Sequence, residues 1–316
     1  MKVSAIAHPI QGLIKYHGLK DETRRIPYHD SISVCVKELH TITTVDFDYS
    51  LSDDLIILNG NAVRGRERER VKIVLDSLRK IAKESAYARV VSDNSLSFGK
   101  GLGFSASGFA ALGLATSRAL DLDLDYVTLS EIVRLGAGSA TRSIAGGFAL
   151  WHANKNGKSY AEQLAGPGDI DLKMVIVPIP SELKTDEAHR EVVTSPLFQA
   201  RLQYVDLILS EMRKAIESKD ISMIGRLAEE DTLNLHAITM TSQSHLVLWE
   251  PETMLVIKEV TKLRKEGIPC WYSVDTGPSV FINTYPEHAP CILRRIQELN
   301  LPQSFVSDVG DKARVI

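Results

Sequence analysis

A glycine-rich segment in the first half of the chain could bind an anion. Gly99, Gly101 and Gly103 lie within five residues, and small residues then lead into an Ala- and Leu-rich stretch, 109–120, with helical character. A loop that opens a helix presents unpaired N–H groups and the positive end of the helix dipole, which together suit phosphate. The spacing matches neither the common phosphate loop nor the dinucleotide fingerprint, so a purely structural glycine turn is an equal alternative.

A carboxylate stands in a second loop, Asp275-Thr276-Gly277-Pro278. A turn of this composition holds its aspartate rigidly, as a catalytic group requires. The same aspartate could instead accept a hydrogen bond from its own backbone and serve only the turn. From the residues by themselves, both roles stay open.

The composition is that of an ordinary soluble globular protein. The 316 residues are 44% hydrophobic, and the net charge is −3 from 37 basic and 40 acidic side chains, which predicts no nucleic-acid or membrane surface. Cys35, Cys270 and Cys291 are too few and too scattered for disulfides or a zinc site, which predicts thiols in a reducing, cytoplasmic compartment. We expect neither a signal peptide nor a membrane-spanning segment.

The first half of the chain is predicted to mix strands with helices. Alternating charged and apolar residues over 64–85 predict a helix. The segment 10–30 is predicted to be irregular, and Thr128-Leu129-Ser130-Glu131 is interpreted as a capping box that starts another helix. Predicted strands, which share β-branched residues or apolar runs, lie at 1–7, as a pair within 31–48, and at 55–59, 87–92 and 146–151.

The second half is predicted to be more helical. Ser195-Pro196 is interpreted as the start of a helical region that reaches to about residue 241. Further helices are predicted at 251–265 and 286–299, and strands at 172–178, 270–274, 280–283 and 304–309. The mixture predicts an α+β protein with a boundary near residue 170.

A set of short motifs runs through nearly the whole chain in a fixed order. They are Ala7-His8-Pro9-Ile10, Lys15-Tyr16-His17-Gly18, Ile26-Pro27, Asp30-Ser31-Ile32-Ser33, Leu58-Asn59-Gly60, residues 105–112, residues 138–143 with Gly146-Gly147, Thr194-Ser195, His236-Ala237 and the Asp275 loop. Together they resemble the mevalonate diphosphate decarboxylase family. The resemblance implies the GHMP kinase fold, with α/β subdomains at 1–170 and 171–316 flanking a central cleft, and a homodimer.

The resemblance also implies an activity and the residues that carry it. In this family ATP phosphorylates a tertiary 3-hydroxyl, and the phosphate and CO2 then leave. Asp275 matches the carboxylate that faces the 3-oxygen, Lys15 could keep it ionised, and Arg142 matches the arginine that grips the substrate carboxylate. The other substrate-binding residues implied are Tyr16, Arg70, Gly101, Gly103, Ser105, Ser107 and Ser139.

Four of these residues keep a structural alternative. Arg142 could be a surface helix arginine, which its Gly-, Ser- and Ala-rich surroundings disfavour. Lys15 could be a solvated surface lysine, and Tyr16 could be a half-buried packing aromatic. Arg70 ends a charged run, 64–70, that could equally be a solvated helix face.

Four positions depart from the family pattern. They are Leu19 in place of a second lysine that grips a diphosphate, Phe104 in place of a phosphate-loop hydroxyl, Ala137 in place of a substrate-binding serine, and Leu183-Lys184-Thr185 in place of Ser-Ser-Thr. A phenyl ring offers an anion no hydrogen bond, whereas Lys184 and the nearby Arg190 add positive charge. These changes predict weaker handling of ATP and a substrate that already carries its 3-phosphate.

The chain therefore most resembles the branch of this family that converts mevalonate 3,5-bisphosphate to isopentenyl phosphate, phosphate and CO2 without ATP. That resemblance implies that no cofactor is required, and no metal-ligating residues are predicted. Retention of Asp275, the base that a phosphorylation step needs, keeps an alternative open: Mg-ATP-dependent decarboxylation of 5-phosphomevalonate or 5-diphosphomevalonate. A catalytically silent small-molecule sensor is a further alternative. The joint presence of Lys15, Arg142 and Asp275 argues against it.

Overall fold

The computed structural model describes residues 1–181, 190–301 and 303–316, and it mixes helices and sheets as the sequence predicts. The strands in this part of the chain are β1 Val3–Ala7, β2 Ile10–Ile14, β3 Leu19–Asp21, β4 Ile26–Pro27, β5 Ser31–Cys35, β6 Thr41–Asp48, β7 Leu55–Leu58, β8 Asn61–Ala62, β9 Tyr87–Asn94, β10 Phe148–Trp151, β11 Ala161–Ala165, β12 Lys173–Val177, β13 Cys270–Val274, β14 Val280–Thr284, β15 Phe305–Ser307 and β16 Arg314–Val315. The α-helices are α1 Gly65–Ala82, α2 Phe104–Ala119, α3 Tyr126–Gly136, α4 Ala140–Ala145, α5 Phe198–Glu217, α6 Ile221–Met240, α7 Pro251–Lys265 and α8 Ala289–Gln297. Over these residues, no helix combines the length and the apolar character needed to cross a membrane.

A six-stranded sheet in the order β16-β1-β6-β9-β7-β8 forms one layer of the first half. Its edge strand β16 comes from the end of the chain, where Val315 pairs with Ala5. The division into 1–170 and 171–316 stays a prediction, and it does not account for this strand.

Helix α2 packs on β1 and β6 of this sheet, with α4 on another side. Its Ala-rich sequence is apolar on most faces, as expected for a helix enclosed by neighbours. The helix begins at Phe104, directly after Gly103, and not near residue 109 as predicted. The Ala106 N–H donates to the Gly103 carbonyl oxygen at 2.9 Å, so the glycine-rich segment ends at the helix N-terminus itself.

The prediction of an irregular segment at 10–30 is wrong. Strand β2 pairs with β5 in a second sheet of order β11-β10-β5-β2, and β3 pairs with β4 in a hairpin. All five residues of β2 are buried, so the strand lacks the alternation of buried and exposed residues that marks a half-exposed strand.

A third sheet, in the order β13-β14-β12-β15, organises the second half. The Asp275 loop connects its strands β13 and β14, as the sequence predicts. Helix α6 packs against β13 of this sheet and against β2 of the first half. The two halves therefore meet along β2 and α6.

Two predicted helix starts are wrong by a few residues. Asp125 caps α3 by accepting a hydrogen bond from the Thr128 N–H at 2.7 Å, so Thr128 lies inside the helix. Ser195 accepts a hydrogen bond from the Leu197 N–H at 3.1 Å, and α5 begins at Phe198. Short polar side chains form both helix caps and local turns, so the sequence alone does not show which polar residue near a helix start is the cap.

Candidate active site

A cavity of about 1190 Å³ lies where β2, the start of α2 and the Asp275 loop meet. The structure brings ten of the predicted site residues to its wall: Lys15, Tyr16, Arg70, Gly101, Gly103, Ser105, Ser139, Arg142, Arg190 and Asp275. Ser107 is absent from this wall, because its buried hydroxyl lies 2.7 Å from the Thr41 hydroxyl inside the fold. Lys184 lies outside the described residues.

Asp275 reaches across from the second half of the chain to the backbone of β2. The Gly12 N–H lies 3.2 and 3.0 Å from its two carboxylate oxygens, and the side chain is 18% exposed. A Cβ at Gly12 would stand 2.7 Å from Lys15 Cγ and 3.0 Å from Asp275 Oδ1. Gly12 was not among the predicted site residues, although glycine inside a strand is a known sign of close backbone approach.

Lys15 follows β2 and is buried, so the surface alternative is wrong. Its Nζ donates to Thr232 Oγ1 at 3.0 Å and lies 4.0 Å from Asp275 Oδ1. Burial lowers the pKa of Lys15, against the attraction of Asp231 and Asp275. Burial likewise raises the pKa of Asp275, against the pull of Lys15 and the Gly12 N–H. The charge of Lys15 favours the ionised form of Asp275, as predicted, but the effect of burial on the Asp275 pKa is larger. A lysine with a lowered pKa beside a carboxyl group with a raised pKa suits proton transfer.

Arg142 lies in α4 and is 2% exposed. Its guanidinium carbon lies 5.4 Å from the centre of the Tyr16 ring and 5.7 Å from that of the Trp151 ring. Those two rings meet edge to face at 4.9 Å, so Tyr16 has a packing role beside its place in the wall. Nothing in the sequence singled out Trp151.

The buried guanidinium of Arg142 has unused hydrogen-bonding capacity. Its Nε and Nη1 have no hydrogen-bond partner among the described residues. Burial lowers the pKa of Arg142 to about 10, so the side chain stays charged near neutral pH. A buried cation with unpaired donors at a cavity wall is suited to an anionic ligand such as a carboxylate.

Arg70 and Arg25 are anchored on consecutive carbonyl groups at the end of α3. Arg70 Nε donates to Gly136 O at 2.8 Å, and Arg25 Nε donates to Leu135 O at 3.0 Å. Arg70 also stacks over the Phe109 ring, with its guanidinium carbon 5.0 Å from the ring centre. A solvated helix face is therefore the wrong alternative for Arg70. Both arginines line the cavity, and the sequence carried no signal for Arg25.

The glycine-rich segment touches the Asp275 loop directly. Gly101 has a φ of +82°, and a Cβ there would stand 2.8 Å from Gly277 Cα. Phe104, the first residue of α2, lines the cavity and also packs against the core. Phe104 thus stands at the helix N-terminus, next to the glycine-rich segment that is predicted to bind phosphate.

The described residues contain no cluster of three or more His, Cys, Asp or Glu side chains that could hold a metal ion.

The β3–β4 hairpin contributes three residues to the cavity wall that were not among the predicted site residues. Leu19 and Glu22 lie on it from the β3–β4 hairpin, together with Arg25.

Solved structures define the class of protein. The chain superposes over its full length on mevalonate diphosphate decarboxylase from Staphylococcus aureus, with a TM-score of 0.93, 34% identity and 98% of that chain covered. It also superposes over its full length on a relative solved in complex with MVAPP, AMPPCP and magnesium, with a TM-score of 0.91, 30% identity and 99% of that chain covered. The fold is therefore the GHMP kinase fold, with the cleft that the resemblance implied.

Sequence comparisons define the family. Residues 7–161 match the diphosphomevalonate decarboxylase-like N-terminal domain, and residues 184–314 match the mevalonate 5-diphosphate decarboxylase C-terminal domain. The phosphomevalonate decarboxylase of Haloferax volcanii is 40% identical over 100% of this chain and 98% of its own length. The chain belongs to the mevalonate diphosphate decarboxylase family, whose members are decarboxylases of isoprenoid biosynthesis.

Proposed function

We propose that the chain releases phosphate and CO2 from a mevalonate that carries phosphate on both its 3- and 5-oxygens, and that it forms isopentenyl phosphate. The grouping of Lys15, Arg142 and Asp275 on one cavity wall carries this proposal. In it, the two unpaired donors of Arg142 hold the substrate carboxylate, and Asp275 faces C3.

The reaction is an elimination that needs no redox partner. The C3–O bond breaks and the leaving phosphate keeps its electron pair. The C1–C2 pair becomes the C2=C3 double bond, and C1 departs as CO2. Positive charge develops at C3, where the carboxylate of Asp275 stabilises it. Arg142 aligns the C1–C2 bond with the emptying orbital, and Lys15 supports the departing phosphate.

The 5-end of the substrate is proposed to carry one phosphate. Arg25 and Arg70 supply two guanidinium groups fixed at the end of α3, which suits a single phosphate. Leu19 offers no charge where the family pattern has a lysine, and Glu22 adds a carboxylate to the same hairpin wall. A second phosphate would meet less positive charge there.

One candidate source of the 3-phosphate is the substrate itself, mevalonate 3,5-bisphosphate, with no ATP and no cofactor. The position of Phe104 supports it. Phe104 lies on the cavity wall at the N-terminus of α2, at the position where the family pattern has a phosphate-loop hydroxyl. Arg190 on the same wall, and Lys184 by its sequence position, would add positive charge for a phosphate that is already present.

The second candidate is Mg-ATP, which would phosphorylate the 3-hydroxyl of 5-phosphomevalonate in the cleft. Three observations support it. The cavity of about 1190 Å³ has room for two ligands. The raised pKa of Asp275 suits a base. The Haloferax volcanii relative is named for phosphomevalonate, and a solved relative holds AMPPCP and magnesium. Each route therefore has observations in its favour.

A product assay separates the two routes. The protein is incubated with mevalonate 3,5-bisphosphate, 5-phosphomevalonate or 5-diphosphomevalonate, each with and without Mg-ATP, and products are followed by ³¹P NMR and mass spectrometry. Isopentenyl phosphate from the bisphosphate without nucleotide supports the first route. Isopentenyl phosphate and ADP from 5-phosphomevalonate support the second.

The Asp275→Asn variant is the control for this assay. The amide keeps one oxygen for the Gly12 N–H but lacks the charge, so turnover should fall by at least about 10²-fold on the substrate that wild type uses. Substrate binding, measured by calorimetry, should change little. Wild-type protein that releases no CO2 from any of the three substrates would overturn the proposal and favour the sensor.

A homodimer and a cytoplasmic location stay predictions. Sedimentation velocity of the purified chain tests the first, and cell fractionation tests the second.

A further inference from the structure

A fully buried ion pair lies behind Lys15, outside the group of residues used above. Asp231 of α6 accepts a hydrogen bond from the Lys15 backbone N–H, with Oδ2 at 2.8 Å. Arg201 of α5 donates from Nη2 to the Lys15 carbonyl oxygen at 2.7 Å, and the same nitrogen lies 3.1 Å from Asp231 Oδ1. Arg201 Nη1 donates to Asn234 Oδ1 at 2.6 Å. Both backbone polar groups of Lys15 are thus held by one ion pair.

The same pair governs the position of the Lys15 amine. Nζ lies 3.9 Å from Asp231 Oδ2 and 4.0 Å from Asp275 Oδ1, so it stands between the two carboxylates. Its contacts with Thr232 Oγ1 at 3.0 Å and Ala228 O at 3.4 Å fix it from the side of α6. The amine therefore reaches Asp275 from a position set by α6.

Burying an ion pair carries a desolvation cost that a packed apolar pair avoids. Both Asp231 and Arg201 have side chains with 0% exposure. Packing alone does not explain why such a costly pair is buried here. A need to hold the charged side chain of Lys15 in place does explain it.

The charges around the amine are nearly balanced. The charged and titratable groups that face it from the packed elements are Asp231 and His236 of α6, Arg201 of α5, Arg142 of α4 and Asp275 of the loop. Burial lowers the pKa of His236 to about 3, so this ring stays neutral near pH 7. Asp231 and Asp275 attract the ammonium, while Arg201 and Arg142 repel it. Without Asp231, only one carboxylate would oppose two guanidinium groups.

We propose that Asp231 and Arg201 are positioning residues that together hold Lys15 in place against Asp275. Within the pair, Asp231 favours the charged form of Lys15 and Arg201 opposes it. The pair acts through Lys15 and does not touch the substrate. This inference rests on the proposed function only where it links the Lys15 charge to turnover; the effect on Lys15 itself is independent of any substrate.

The test compares Asp231→Asn with a matched control on the same helix. The amide of the variant keeps an oxygen that can accept the Lys15 N–H but removes the charge. Glu229→Gln is the control, because Glu229 also forms a two-point pair with an arginine, at 2.6 and 2.8 Å from the Arg264 guanidinium. Glu229 is not among the groups that face Lys15.

The ionisation of Lys15 is measured directly in ligand-free protein. Lysine labelled with ¹³C at Cε is titrated by NMR, and the Lys15 signal is assigned by its loss in Lys15→Met. Asp231→Asn should lower the midpoint by about 1–3 pH units, the range for loss of an opposite charge within about 4–6 Å. Glu229→Gln should leave it in place. An unmoved midpoint in folded Asp231→Asn overturns the proposal.

Arg201→Gln provides a second test if Asp231→Asn fails to fold. Because Arg201 repels the ammonium, its loss should raise the Lys15 midpoint, which general destabilisation would not do. An unmoved or lowered midpoint in this variant also overturns the proposal.

The alkaline limb of the kcat/KM profile should move in the same direction as the midpoint in each variant. A shifted midpoint with an unchanged rate profile would support the positioning role of Asp231 and Arg201 but would remove Lys15 from the proposed mechanism.

Discussion

Gly12 and Asp275 are joined by a hydrogen bond that spans 263 residues of sequence, with the Gly12 N–H 3.0 Å from one carboxylate oxygen and 3.2 Å from the other. The contact connects a strand of the first half to a loop of the second. It exists because residue 12 has no side chain, since a Cβ would stand 3.0 Å from Asp275 Oδ1. The position of the proposed catalytic carboxylate therefore depends on a glycine.

Gly12→Ala should reduce turnover while the protein stays folded. The added methyl group displaces Asp275 and Lys15, and a misplacement of about 1 Å can cost about 10²-fold in rate. Gly157→Ala is the control, because a Cβ there meets no atom within 4 Å although its φ is +82°. The control should lose stability but keep its kcat, and an equal loss of kcat in both variants would contradict the role of Gly12.

Arg142→Lys should weaken substrate binding by about 10–10²-fold, because an ammonium group replaces a planar guanidinium that can donate two hydrogen bonds to one carboxylate. Arg134→Lys is a close control: Arg134 is also buried, also has unpaired Nε and Nη1 atoms among the described residues, and does not line the cavity. Inhibition by isopentenyl phosphate, which lacks the carboxylate, should change little in either variant. If Arg142→Lys weakens this product as much as the substrate, the guanidinium does not hold the carboxylate.

Arg25→Gln should raise KM for a 5-phosphorylated substrate by about tenfold or more, since a charge-assisted hydrogen bond to phosphate contributes about 1.5–3 kcal/mol. The neighbouring Arg24 is exposed and is not part of the cavity wall, so Arg24→Gln serves as the control. Steady-state kinetics of the two variants settle the point. Equal KM values would remove Arg25 from the 5-phosphate site.

Stability should rise with pH between about 4 and 6 in part because of a buried histidine. Burial lowers the pKa of His236 to about 3, so the unfolded chain binds a proton in this range that the folded chain does not. Each such group makes the free energy of unfolding rise by about 1.4 kcal/mol per pH unit in this range. His236→Gln should flatten the dependence of unfolding free energy on pH, measured in urea, whereas His245→Gln on an exposed loop supplies the background. Parallel curves for wild type and His236→Gln would contradict this account.

Much of the fold could be predicted from the sequence where the pattern is local. Alternating charged and apolar residues marked α1, a β-branched run marked β12, and the Asp275 loop was placed between two strands. The errors have local causes too. Strand β2 is buried on every residue and so lacks alternation. Asp125, and not Thr128, caps α3, whereas Ser195 makes a local turn that resembles a cap.

The site was predictable mainly where the order of motifs resembled a family. Lys15, Arg142 and Asp275 came from that resemblance, and the structure brings them to one wall. Ser107, which came from the same resemblance, does not lie on this wall, because its hydroxyl contacts that of Thr41 inside the fold. Side-chain direction within a motif depends on where the helix begins, and the sequence placed that start several residues too late.

The sequence by itself determined the class of fold, many of its helices and strands and the residue types available for chemistry, because these depend on periodicity and motif order along the chain. Only the tertiary structure decided which residues meet. The Asp231–Arg201 pair behind Lys15, the two arginines on the end of α3 and the Gly12–Asp275 contact all join distant segments. Such meetings are set by how sheets and helices pack, and periodicity reports only which face of an element is buried, not what it is buried against.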